Sequence, residues 1–270
     1  MPRPDPRQLD LFSGPTAIPS QTVAHGKETP VKSRSIDPDR LDDAQLLEAF
    51  RTSKLAETEL LAAAITRRQP TGWQDAALHV WKRFFGFGQG RPLPEQRAVL
   101  GLVRDLHGRC VLDDIVRRGA VPEGLNGDLL LAAAACAYPL KSDIVRSGLI
   151  ARDDALREAA LRIAIPSGVE PLELRPLLMD RQTGVRDLAA VVLAEVGDPE
   201  ARPSLLLTLK ARPSERGLDA LALFMDEDAI IQLGQLARIH PHWVGHIRAL
   251  IEDSAHPKGP SIIATFPADA

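Results

Sequence analysis

The chain has 270 residues, 33 Lys and Arg against 36 Asp and Glu, and a formal net charge of −3, so it carries no global attraction to nucleic acid or to an anionic membrane surface. No stretch approaches the roughly 18 consecutive apolar residues of a membrane-spanning helix, and the opening MPRPDPRQLD lacks the apolar region of a secretory signal, so a cytoplasmic location is expected. The 2 cysteines, Cys110 and Cys136, lie far apart in apolar contexts, which excludes a disulfide framework and suits a reducing compartment.

Aromatic residues make up only 4% of the chain; Leu and Ala dominate the apolar fraction, and strand-type runs of Val, Ile, Thr and Tyr are missing. Leu and Ala favour helices and let them pack closely, so the expected class is all-α. Residues 1–38 differ from the rest. Pro2, Pro4, Pro6, Pro15, Pro19, Pro30 and Pro38 punctuate a polar stretch that cannot bury enough apolar surface to offset its ordering entropy. A disordered tail is expected there, with Leu9, Leu11 and Phe12 as an apolar island.

Order is expected from Asp39, where acidic residues precede Leu46, Leu47 and Phe50 and favour a helix start. A second helix is expected over 58–67, closed by Gln69-Pro70-Thr71-Gly72. A third is expected over 73–85, with Trp73, Ala77, Val80, Trp81 and Phe84 on one face. The loop GFGQGRPLP separates it from helices over 95–107 and 113–118. Residues 128–137, DLLLAAAACA, are apolar nearly all round and predict a fully covered helix. The end of the chain from His256, with Pro257, Gly259 and Pro260, is expected to fray.

Between residues 151 and 253 the sequence repeats itself. ALREAALRIA surrounds Arg157, GVRDLAAVVLAEVGDPEARPSLLLTL contains Arg186, and ERGLDALALFMDEDA contains Arg216; the arginines are 29 and 30 residues apart. Self-similarity at this period marks stacked helical units. The pattern in residues 185–209 resembles the HEAT-like repeats of about thirty residues found in phycobilisome-lyase-like proteins. The ankyrin alternative lacks its T-P-L-H signature. The resemblance implies a right-handed α-solenoid of stacked antiparallel helix pairs, six or seven units over 39–255, between the tail 1–38 and the frayed end 256–270. Ala132, Ala133, Leu161, Ala190, Leu193 and Leu221 are expected in its core.

Four features are candidates for function. Gln8, Leu9, Asp10, Leu11 and Phe12 resemble the pentapeptide by which bacterial proteins dock on the replicative sliding clamp. In that resemblance Leu11 and Phe12 enter an apolar pocket and the Gln8 amide bonds at its rim. Arg157, Arg186 and Arg216 are read as members of a structural polar ladder, with a phosphate-tracking basic ridge as the alternative. Glu158, Asp187 and Glu215 weaken that alternative by neutralising the ridge. In the stretch 81–91 basic and aromatic residues interleave. Lys82, Arg83, Phe87 and Arg91 are candidate surface-binding residues, against the plainer reading of a helix end capped at Gly86. His242 and His246 have the i, i+4 spacing of metal ligands, but Trp243 stands where a zinc-protease motif has Glu and no third ligand is evident, so no metal is expected.

No nucleophile triad, phosphate loop or paired-Cys motif is present in the sequence. The expected function is a non-enzymatic scaffold or adaptor without a cofactor, gripping a protein partner and recruited to the sliding clamp. Two alternatives remain open. One is a HEAT-like DNA glycosylase using Trp73, Trp81 or Trp243; the other is an assembly helper unconnected to DNA.

Overall fold

The computed structural model describes residues 36–84, 91–119 and 121–266. Every regular element among them is helical, in fifteen α-helices with seven short 3₁₀ segments and no strand. The α-helices are α1 Asp43–Thr52, α2 Ala56–Arg68, α3 Trp73–Arg83, α4 Pro94–Asp105, α5 Arg109–Arg118, α6 Asn126–Ala135, α7 Ser142–Leu149 and α8 Asp154–Ile163. They continue with α9 Pro171–Leu174, α10 Thr183–Glu195, α11 Arg202–Ala211, α12 Glu215–Leu221, α13 Glu227–Ile239, α14 Val244–Asp253 and α15 Gly259–Ile263.

Local chemistry starts many of these helices. Asp42 accepts from the Gln45 amide at 2.8 Å while the Gln45 side chain accepts from the Asp42 amide at 3.1 Å, a reciprocal cap on α1. Asp153, Ser214 and Asp226 cap α8, α12 and α13 in the same sense, each accepting from a first-turn amide. Pro176 has no amide hydrogen to continue α9, and the chain tightens there into the 3₁₀ segment Arg175–Met179.

The even-numbered helices pack in chain order: α2 on α4, α4 on α6, α6 on α8, α8 on α10, α10 on α12 and α12 on α14. Between them and along the other side run the odd-numbered helices, α1 against α3, α3 against α5, α11 against α13 and α13 against α15. Ala132, Ala133, Leu161, Ala190, Leu193 and Leu221, the residues expected in the core, are all buried. Exposed ion pairs bridge consecutive members of the even row. Arg97 of α4 meets Asp128 of α6 at 3.5 Å, and Arg216 of α12 meets Glu195 of α10.

One backbone corner recurs. The residue after the helix end takes a left-handed conformation, and the next amide reaches back to the last turn. It occurs at His107 (φ 51), Ala137 (φ 48), Gly168 (φ 75) and Gly197 (φ 74). The returning bonds are Gly108 to Val103 at 2.9 Å, Tyr138 to Ala133 at 2.9 Å, Val169 to Ala164 at 3.1 Å and Asp198 to Leu193 at 3.0 Å. This is the Schellman pattern. The corners fall 30, 31 and 29 residues apart. The period therefore reaches back to α4, well before residue 151, where the sequence repeat becomes readable.

Three expectations need correction. Helix α6 is not fully covered: Leu131, Ala134 and Ala135 are half-buried although the helix meets both α4 and α8. Helix α5 begins at Arg109, four residues before the expected start. Within the 256–270 stretch expected to fray, residues 259–263 form α15, which packs on both α13 and α14, and Gly259 is buried against Ile251, where a side chain would crowd.

Candidate functional site

The repeat arginines do not form one series. Arg157 and Arg186 share a role: each sends Nη1 back to the carbonyl six residues earlier, Ala151 at 2.8 Å and Asp180 at 2.6 Å, fastening the loop that enters its own helix. Arg157 also grips the Asp180 carboxylate with Nε and Nη2 at 2.8 and 3.0 Å, while Asp180 accepts from the Gln182 amide at 2.8 Å. Arg216 departs from this pattern and pairs across to Glu195. The sequence neighbours expected to neutralise the arginines take no part: Arg157 pairs with Asp180 rather than Glu158, and Arg216 with Glu195 rather than Glu215. Arg175 and Asp198 repeat the pairing through one bond, Nε to Oδ2 at 2.9 Å, with the same 23-residue offset as Arg157 and Asp180. The ladder reading of Arg157 and Arg186 accounts for these contacts better than a phosphate ridge, since their donors are spent inward.

Enclosure works to raise the Asp180 carboxyl, but the Arg157 fork, the Gln182 amide and nearby Arg181 outweigh it and hold the group below the usual carboxylate range. At Asp198 the hydrogen bond from Arg175 is the leading influence, and that carboxyl is likewise held low. Both acids stay ionised in the folded chain and tie neighbouring units together.

Of the four surface candidates around the 81–91 stretch, Phe87 lies outside the described residues, as does Gly86. Arg83 is not available as a surface cation. Its guanidinium donates to the carbonyls of Arg51 and Ser53, closing the C-terminal end of α1, and sits 4.6 Å from the Phe84 ring centroid. Lys82 and Arg91 are exposed. Gln8, Leu9, Asp10, Leu11 and Phe12 also lie outside the described residues.

The histidines near α14 are engaged elsewhere. His246 Nε2 lies 2.9 Å from Asp219, His240 Nε2 lies 3.2 Å from the Lys210 carbonyl, and the Trp243 ring stands between His242 and His246. Among the described residues no group of three His, Cys, Asp or Glu is placed to hold a metal ion. Trp73 and Trp81 are core residues, 7% and 1% exposed, so neither lines a groove.

A broad, open concavity lies elsewhere, between α8, α10, α11 and α12. It consists of two adjoining hollows of about 440 and 400 Å³ that share Asp187, Thr208 and Arg212. Asp187 accepts from Thr208 Oγ1 at 3.0 Å and pairs with Arg212, making a polar crossbar between the two halves. The first half carries Glu158, Arg162 and Arg216 over a floor of Leu188 and Val191. Gly184 lets the Glu158 carboxylate come close to the first turn of α10, where a Cβ would sit 2.6 Å from it; negative charge is favoured at that helix end. Arg162 is exposed and makes no ion pair or hydrogen bond among the described residues. The second half is apolar at its mouth, with Met179 86% and Leu207 69% exposed, flanked by Leu178 and Ala211.

Sequence reasoning missed this groove. Its parts come from four helices, and Leu207 and Met179 read as ordinary members of an apolar stripe. Asp187 was visible only as a neighbour of Arg186. Comparison of the chain with models of protein families, with curated proteins and with solved structures finds no match in any of the three.

Proposed function

We propose that the chain is a non-enzymatic scaffold of stacked helical repeats, an α-solenoid of HEAT-like build, which grips a protein partner. The observation that carries this reading is the left-handed corner recurring every 29 to 31 residues along a row of even-numbered helices packed in chain order. Each unit then contacts chiefly its neighbours, and such an arrangement offers an extended surface for binding rather than an enclosed catalytic cavity. The open groove of α8, α10, α11 and α12 fits that use.

Recruitment to the bacterial sliding clamp through Gln8, Leu9, Asp10, Leu11 and Phe12 is the second half of the proposal, and it rests on the match of those five residues to the docking pattern. A short peptide burying two or three apolar anchors binds at about micromolar strength. The test is fluorescence polarisation of the labelled full chain against the clamp of the source organism. Leu11→Ala with Phe12→Ala should abolish binding, and Asp10→Ser should leave it intact. No binding at several hundred micromolar clamp removes the recruitment half and leaves the scaffold half standing. The glycosylase reading is disfavoured by the burial of Trp73 and Trp81.

A further inference from the structure

We infer that the groove between α8, α10, α11 and α12 is a docking site for a short extended peptide that carries acidic residues beside large apolar ones. The inference rests on the reading of the chain as a protein-binding scaffold and gives that scaffold a ligand chemistry.

Charge complementarity is the first argument. Arg162 brings to the first half of the groove a guanidinium that spends none of its donors on the described residues. Arg212 spends Nη2 on Asp187, and Arg216 spends Nε and Nη2 on Glu195, so each retains further N–H donors. Glu158 and Asp187 are the carboxylates of the same lining, and both have local company: Glu158 at the first turn of α10, Asp187 with Thr208 and Arg212. With Arg212 paired to Asp187, Arg216 paired to Glu195 and Glu158 set against the first turn of α10, Arg162 is the guanidinium of this lining that has no ion pair among the described residues, and a ligand carboxylate answers it with paired charge-assisted bonds.

Apolar exposure is the second argument. Across the Asp187–Arg212 crossbar, Met179 and Leu207 present 86% and 69% of their surfaces to solvent, in a hollow that continues the charged half. A ligand filling both halves therefore presents an acid and a large apolar side chain within a few residues of each other. A nucleic acid fits less well. Its phosphates follow one another at fixed spacing and would pass Glu158, Asp187, Glu195 and Glu215 in turn, whereas a peptide can set a single carboxylate at Arg162 and an apolar side chain on Met179 and Leu207.

The test is a titration of the ¹⁵N-labelled full chain with a blocked Gly-Asp-Glu-Leu-Phe-Gly peptide, read by amide shifts, with the Gly-Lys-Lys-Leu-Phe-Gly peptide and a twelve-residue oligothymidylate as comparisons. The acidic peptide should shift amides of α8, α10 and α11 with a dissociation constant on the order of 100 μM. Binding should weaken as salt rises. Arg162→Glu and, separately, Leu207→Asp should each weaken it at least about tenfold; both residues are exposed, and circular dichroism checks that the variants stay folded. Arg91→Glu, outside the groove, should change nothing. The inference is overturned if 1 mM acidic peptide leaves those amides unmoved, if the lysine peptide binds equally well, if Arg162→Glu has no effect, or if the oligonucleotide is the better ligand. A null titration alongside intact clamp binding removes the groove's ligand and leaves the recruitment reading; loss of clamp binding leaves the groove inference untouched.

Discussion

Arg157 and Asp180 form the most enclosed ion pair among the described residues: two bonds of 2.8 and 3.0 Å, with side chains 5% and 9% exposed. The same arginine also fastens the carbonyls of Ala151 and Arg152, so one guanidinium joins the entry loop of α8 to the entry of α10. Removing one partner leaves a charge enclosed without compensation. Arg157→Met is expected to destabilise the chain by about 3–5 kcal/mol. Urea denaturation checks it, and a change under about 1 kcal/mol would mean that the pair is dispensable.

Acid should act through Asp180 and Asp198. Both carboxyls are held low in the folded chain, so they bind fewer protons than their unfolded counterparts near pH 4. Their contribution is fully present above the unfolded value and is lost as pH falls through the depressed folded values. Urea midpoints measured from about pH 6 down to pH 3 should drop at the acid end. In a chain carrying Asp180→Asn and Asp198→Asn the drop should be shallower and the stability at neutral pH already lower.

The recurring corner gives opposite expectations at two positions. Ala137 holds φ 48, and a non-glycine residue there carries steric cost. Ala137→Gly should be neutral or stabilising by up to about 1 kcal/mol, the relief of strain exceeding the added chain entropy. Gly197 holds φ 74, and Gly197→Ala should cost about 1 kcal/mol. Thermal midpoints moving in the same direction for the two changes would contradict this account of the corners.

Leu193 is fully buried in α10, the helix that meets α8, α11 and α12. Leu193→Ala should cost about 2–5 kcal/mol. Hydrogen exchange should show the loss reaching α8 and α12, which α10 contacts, before α2, as the proposed serial stack requires. An unchanged denaturation midpoint would rule out the placement of Leu193 in the core.

The helices and their buried faces were legible because Leu and Ala recur at helical spacing, and residues such as Leu161, Ala190 and Leu221 lie where that spacing puts them. The period before residue 151 was not legible. Its corners at His107 and Ala137 use backbone bonds that leave no glycine in the sequence, unlike Gly168 and Gly197. The partners of the arginines were hidden for a different reason. Asp180 and Asp198 sit 23 residues beyond Arg157 and Arg175, on the next unit, whereas charge patterns in a sequence are read between near neighbours. The groove needed the meeting of Arg162, Asp187, Leu207 and Arg212, which no spacing rule connects. The pentapeptide ending at Phe12 was readable only as a resemblance, and it lies outside the described residues.

The contacts of Arg97 with Asp128 and of Glu195 with Arg216 also bear on how the even row would respond to bending. Each pair is partly solvent-exposed and clips one helix to the next, while the packed Leu and Ala of the core hold the same two helices together. Exposed pairs of this kind contribute under about 1 kcal/mol and are screened over about 8 Å at physiological salt. A pull that fans the helices apart would release these clips before disturbing the apolar seam. Salt would then soften the row to bending at ionic strengths far below any that unfold it, and the spacing of the walls that flank the groove would become a property the cell's electrolyte can tune.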